Sequence, residues 1–275
     1  MKIDKIYLIN LKKNTERFIK IDTLFKSLGG IFKNYTKFEA INGNDLSEKE
    51  IKNLLSLKSQ YIYNNFTLFM DIKTKGAIGC YLSHIKIWDD ARKNNYNNIM
   101  IFEDDIYTKL SLNEIMEYIN NIPNDYDIAY MDYLCINWND NNSVNNYWNS
   151  NQLDNIAGAS AYILNIKGIN KLLDKIYPIE SQIDCYMSYY ANLNKDFKRY
   201  IAKEKIFTQG LHGFLGFNSN ILNLNNSNYI NCIFNEFILT KQFIQITVII
   251  ILIILLIKRN SKKLFDFFIN HKKNY

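Results

Sequence analysis

The run Ile6-Tyr7-Leu8-Ile9-Asn10-Leu11 is apolar and rich in β formers, and after a polar turn Phe18, Ile21, Leu24, Phe25 and Leu28 recur at helical spacing before Gly29-Gly30. This predicts a buried strand, a helix and a glycine stop. Phe38-Glu39-Ala40-Ile41 reads as a second strand ending at Asn42-Gly43. Ser47 followed three residues later by Glu50 is a capping-box pattern for a helix carrying Ile51, Leu54 and Leu55. A longer helix opens at Gly76-Ala77-Ile78-Gly79 and runs through Leu82, Ile85 and Arg92 into a strand at Ile99-Met100-Ile101-Phe102. Residues 127–134 and 159–164 read as further strands, the latter followed by a helix through Ile169, Leu172 and Leu173. Strands alternating with helices predict an α/β fold whose mostly parallel central sheet is covered on both faces. Residues 137–155 are polar and Asn-rich but carry Trp138, Tyr147 and Trp148, and read as an insertion, with an acceptor-side lid as the other reading.

The strand at 99–102 runs straight into Glu103-Asp104-Asp105. Three adjacent carboxylates repel one another. In α/β proteins ligands gather at the carboxyl ends of strands, so a divalent cation with a phosphorylated substrate would neutralise such a cluster. A solvated turn is the plain alternative.

Hydrophobic residues make up 48% of the 275, enough for one substantial core or two small ones. The net charge of +6 is concentrated near the end of the chain, where Lys258, Arg259, Lys262, Lys263, Lys272 and Lys273 face only Asp266. The rest is close to neutral, which argues against nucleic-acid binding. Cys80, Cys135, Cys185 and Cys232 are far apart, with no Cys-x-x-Cys pair, and read as reduced thiols of a cytosolic domain.

Residues 242–257 carry no charge and centre on an unbroken run of Val, Ile and Leu. They predict a membrane helix of about 24 Å, short of the ~30 Å hydrocarbon core unless residues 237–239 and flanking Lys241, Lys258 and Arg259 extend it. A buried β-branched core element is the other reading. The expected organisation is therefore a folded body over 1–236, a hydrophobic membrane segment over 237–257 and a basic tail over 258–275. The polar N-terminus suggests no signal peptide, so the body is expected in the cytosol, membrane-associated through the single C-terminal segment.

Several ordered blocks together resemble glycosyltransferase family 25, which includes lipooligosaccharide and procollagen galactosyltransferases. They are Ile6 to Leu11 with Thr15-Glu16-Arg17; Phe38 to Gly43; Gly76-Ala77-Ile78-Gly79-Cys80-Tyr81-Leu82-Ser83-His84; Ile101 to Asp105; and Gly158-Ala159-Ser160-Ala161-Tyr162 with Pro178 to Asp184. The resemblance covers roughly residues 4 to 220. It implies a GT-A-like nucleotide-sugar-binding fold, a UDP-sugar donor, usually UDP-galactose, and inversion at the sugar carbon. It also places Glu103-Asp104-Asp105 where family members carry an Asp-x-Asp-like element, and Arg17 at the donor side.

Within that frame Asp105 is the leading metal ligand, and Glu103 is expected at ribose, metal or metal-bound water. Asp104 could join either role or face solvent. The fork of Arg17 suits a phosphate, although pairing with Glu16 or Asp22 on a helix face would also explain it. Asn10, at the strand end, would meet the base or a turn backbone. Gly79, Ser83 and His84 fall near a helix start, where free N–H groups could meet a phosphate or support the acidic loop, while His84 alternatively reads as a hydrogen-bonded core residue. His212, between Gly210 and Gly213, is a candidate third metal ligand because imidazole suits manganese. Asp184 leads as the base that deprotonates the acceptor, with Glu180 and Asp132 in reserve, although Asp184 could instead cap a helix through Met187 and Tyr190.

The expected function is metal-assisted, inverting transfer of a hexose, galactose first, from a UDP-sugar to a glycan, lipid-linked or protein hydroxyl, with Mn2+ as the expected cation and lipopolysaccharide among the candidate products. The competing readings are a non-catalytic relative that binds nucleotide sugar or glycan, and a metal-dependent phosphohydrolase.

Overall fold

The computed structural model describes residues 1–63, 71–72, 74–135, 142–150 and 156–209. In chain order its elements are β1 (Lys5–Asn10), α1 (Thr15–Leu28), β2 (Thr36–Glu39), α2 (Glu48–Leu54), α3 (Leu57–Tyr63), α4 (Lys75–Lys93), β3 (Asn98–Glu103), β4 (Ile106–Tyr107) and α5 (Leu112–Asn120). They continue as β5 (Ile128–Tyr130), β6 (Leu134–Cys135), β7 (Trp148–Ser150), β8 (Ile156–Ala157), β9 (Ala161–Asn165), α6 (Ile166–Leu173), α7 (Ile183–Leu193), β10 (Arg199–Ala202) and β11 (Thr208–Gln209). The local signals act where expected. Ser47 and Glu50 form the reciprocal capping box of α2, and α1 stops at Gly29, whose φ of 72° disfavours a side chain.

Seven strands form one sheet in the order β2-β1-β3-β9-β5-β10-β7. Alternate residues of β1 serve opposite cores. Tyr7 and Ile9 pack with Ile85 and Trp88 of α4, Ile169 of α6 and Met187 of α7, whereas Ile6 and Leu8 pack with Ile21 and Phe25 of α1 and Ile115 and Ile119 of α5. Each fully buried large apolar side chain contributes roughly 1.5–3 kcal/mol. This is the doubly covered sheet that the alternation of elements predicts.

The sheet is mixed rather than mostly parallel. Strand β1 runs parallel to β2 and β3, and β10 parallel to β5, but β9 is antiparallel to both β3 and β5, and β7 is antiparallel to β10. The cause is the connection. Between β5 and β9 the chain lays down β7 at the far edge, already opposite in direction to β5, and β9 keeps that reversed direction when it enters between β3 and β5. Part of the predicted insertion is itself sheet: Trp148 on β7 is fully buried, its indole N–H donating to the Tyr118 carbonyl at 2.9 Å.

The expected C-terminal membrane helix is also corrected. Among the described residues no helix is long and apolar enough to cross a membrane, and residues 210–275, which include 242–257 and His212, lie outside them. Neither the membrane segment nor a membrane-associated localisation resting on it is supported, and both are withdrawn.

Candidate active site

The parallel strands β1 and β3 end side by side, Leu8 opposite Phe102 and Ile9 opposite Glu103, so Asn10 and Glu103-Asp104-Asp105 share one edge of the sheet. Beneath that edge Phe102 packs edge-on against Phe25 and Phe207, at centroid distances of 5.2 and 4.9 Å. Packing of Phe207 brings the following β11 against β4, with Gln209 paired to Ile106. A segment a hundred residues downstream thereby reaches the acidic turn.

Asp104 and Asp105 are held by cations and amides. The Nδ2 of Asn10 donates to Asp104 Oδ2 at 2.6 Å, and Arg17 Nη1 lies 3.0 Å from Asp104 Oδ1 and 3.5 Å from Asp105 Oδ2. The Gln209 side chain donates to both Asp105 oxygens at 3.3 and 3.4 Å. These contacts do not balance the charge. Burial first, then repulsion from Glu103 and Asp104 against the opposing pull of Arg17, raises the Asp105 carboxyl to about 7. The cluster therefore favours a bound proton or a cation over three bare charges. Asn10 adds a second signal, because its Oδ1 is buried without a hydrogen-bond partner.

Glu103 faces a different set. Its Oε1 lies 3.3 Å from His84 Nε2 and accepts from the Cys80 thiol at 3.7 Å. Ligand atoms of Cys80, His84 and Glu103 lie within 4.8 Å of one another, a set able to hold a metal ion. His84 is fully buried and its Nδ1 lies 2.7 Å from the Tyr162 hydroxyl. The Cys80 thiol is pushed well above its usual value, by burial first and then by the carboxylates of Glu103, Asp184 and Asp105.

The expected base residues occupy unlike places. In Asp184, near the start of α7, one oxygen accepts the Gly158 N–H at 2.8 Å and the other accepts its neighbour's, from Cys185, at 2.8 Å. Asp132 is buried, with Ser160 Oγ at 2.6 Å, Gln209 N at 2.9 Å, Tyr133 N at 2.9 Å and Lys205 Nζ at 3.3 Å. Glu180 is exposed, and its backbone carbonyl accepts from Ser59.

The glycine-helix block serves packing. Helix α4 starts at Lys75, capped by Thr74, so Gly79 and Ser83 lie beyond its first turn. A Cβ on Gly79 would come within 2.5 Å of the Ile41 carbonyl and 2.6 Å of the Gly43 N, and Ser83 Oγ accepts the Ile41 N–H at 2.9 Å. Both residues thus hold the segment after β2 against the helix. Arg17 pairs with the acidic turn and not with Asp22, which instead pairs with Lys26. Gln209, Ser160, Lys205 and Tyr162 carry no local sequence signal for their contacts, because each partner is remote in the chain.

Comparison with known proteins identifies the family. The family model for glycosyltransferase family 25 (LPS biosynthesis protein) matches residues 3–187. A glycosyltransferase 25 family member of Drosophila melanogaster is 27% identical over 200 residues, which are 66% of this chain and 30% of that protein. Procollagen galactosyltransferase 1-A of Xenopus laevis is 28% identical over 138 residues, 48% of this chain and 21% of that protein. Inactive glycosyltransferase 25 family member 3 of Mus musculus is 26% identical over 190 residues, 63% of this chain and 29% of that protein. The matched region thus spans less than a third of the length of these relatives. The chain belongs to glycosyltransferase family 25.

Proposed function

We propose that this family 25 member transfers a hexose, galactose first, from a UDP-sugar to a hydroxyl of a glycan or protein acceptor, with a divalent cation at Glu103-Asp104-Asp105. One observation carries the reading. Asp105 is a largely buried carboxylate raised to about 7 beside two others, with Arg17 as its nearest cation among the described residues, so the site there has negative charge to spare at the edge where ligands bind in α/β folds. The donors there are carboxylate oxygens, which suit Mn2+ or Mg2+, and the donor chemistry therefore fits the cation that the reaction needs. When bound, such an ion would stabilise charge on the departing diphosphate.

The chain's own residues would divide the remaining work. Arg17 and Asn10 hold Asp104, and Gln209 holds Asp105, so the carboxylates keep their positions before the donor arrives. Asp184 remains the proposed base for direct inversion, since its charge is felt at Cys80 together with those of Glu103 and Asp105. Each Asp184 oxygen accepts one backbone N–H and keeps a further lone pair for the acceptor proton.

The tethering of these acids favours one second reading. Both Asp184 oxygens accept backbone N–H groups and Asp132 is buried among four partners, so a donor-binding relative without turnover fits these acids. A panel of nucleotide sugars incubated with Mn2+, scored by UDP release and by mass spectrometry of candidate acceptors, separates the two. Transfer with one UDP-sugar and its loss in Asp184→Asn supports the transferase; donor binding with neither hydrolysis nor transfer on any acceptor supports the binding protein.

A further inference from the structure

Beneath Glu103 lies a file of buried polar side chains, Trp88, Tyr162 and His84, that packing alone does not require. The Trp88 indole Nε1 lies 3.0 Å from the Tyr162 hydroxyl, that hydroxyl lies 2.7 Å from His84 Nδ1, and His84 Nε2 lies 3.3 Å from Glu103 Oε1. Trp88, Tyr162 and His84 are each fully buried, so no water can supply a missing partner at no cost.

The directions follow from the donors. An indole N–H can only donate, so the Tyr162 oxygen accepts from Trp88. Among the described residues the only other neighbour of that hydroxyl is His84 Nδ1, so its hydrogen must point there, or it is left unpaired in the core. A phenol that donates to Nδ1 requires that nitrogen to be bare. The ring hydrogen then sits on Nε2 and points at Glu103. Burial keeps the Tyr162 phenol protonated, well above its ordinary range, so the donor persists.

We infer that Trp88, Tyr162 and His84 form a one-way chain of hydrogen bonds, and that His84 and Tyr162 are positioning residues for Glu103. The chain fixes His84 as the Nε2–H tautomer and engages Glu103 Oε1, turning Oε2 toward the cation or donor. His84 is then neither a base nor a metal ligand, since both roles need a bare Nε2. The consequence for cation binding rests on the proposed function, whereas the tautomer does not.

The test is the tautomer itself, read in the full chain by long-range 15N–1H correlation of labelled histidine. The chain has three histidines, and loss of one spin system in His84→Gln assigns it. The expected spectrum shows a protonated Nε2 and a bare Nδ1, and Tyr162→Phe, which keeps the ring but not the hydroxyl, populates the Nδ1–H form. A wild-type ring protonated on Nδ1, the form that a metal held by Cys80, His84 and Glu103 would need, overturns the inference. Mn2+ titration then reads the consequence. His84→Leu is expected to weaken binding by ~10- to 100-fold. His84→Gln, whose amide can donate to Glu103 and accept from Tyr162, is expected to restore most of it. A glutamine no better than leucine, in two variants of wild-type melting behaviour, would overturn the positioning role. An Nε2–H ring in a chain that binds no Mn2+ would instead leave the hydrogen-bond chain standing and remove the cation site.

Discussion

Asp105 and Asp132 sit at the same end of the sheet, both largely buried, and differ in what surrounds them. Asp132 accepts hydrogen bonds from Ser160, the Gln209 backbone and its neighbouring amide, and has Lys205 at 3.3 Å. Asp105 has Arg17 no nearer than 3.5 Å, the long amide contacts of Gln209 and two neighbouring carboxylates. A buried acid supplied with donors acts as a tether, and one left with excess charge acts as a place for a cation. Burial alone does not separate the two. Gln209 links them, since its backbone N–H serves Asp132 while its side chain serves Asp105.

Replacing Asp105 by Asn should break the comparison most sharply. Loss of one charge at the proposed cation site is expected to lower metal-dependent UDP release by about 10²–10³-fold, by analogy with removal of a single electrostatic stabiliser, while the apo protein melts no lower than wild type. Calorimetry of Mn2+ binding beside thermal melts checks both halves. Unchanged cation affinity would remove Asp105 as the centre of charge.

The complementary change, Asp132→Ala, should do the opposite. It leaves the Ser160 and Gln209 donors and Lys205 without their acceptor and is expected to cost about 3 kcal/mol of stability, measured by denaturant unfolding. Loss of activity in this variant should follow loss of the fold.

A third difference is in pH. The Asp105 carboxyl is raised in the folded chain, so between its usual range near 4 and about 7 the folded state holds a proton that the unfolded state has lost. Its contribution to apo stability is therefore fully present at the acid end of that window and is lost as pH rises through about 7. Cation affinity moves the other way, rising up to ~10-fold per unit until the proton is gone. Matched melts with and without Mn2+ between pH 5 and 8 should show the two trends, and Asp105→Asn should flatten both.

Much of the local architecture was legible in the chain. The periodicity before Gly29 marks α1, the Ser47 and Glu50 pair marks α2, and the apolar run into Glu103 marks β3 with its charged exit. The site was legible only in part. Asn10 at the end of β1 and Arg17 in the first turn of α1 meet the acidic turn, a partner their sequence reading did not name, and Gly79 and Ser83 look like phosphate-binding residues in sequence and prove to be the close contact of a helix with a turn. Glycine permits a close approach to backbone as readily as to a ligand, and spacing does not tell which is present.

The amino-acid sequence by itself determined elements such as β1, α1, α2 and β3, the family and the position of three carboxylates at a strand exit, because periodicity, capping and turn chemistry are local. Tertiary structure alone decided that β9 runs antiparallel between β3 and β5, that Gln209 returns to Asp105, and that Tyr162 lies beneath His84. These pairings join residues tens to a hundred positions apart. Their donors and acceptors carry no mark of the partner they will meet until the sheet and its helices close around them.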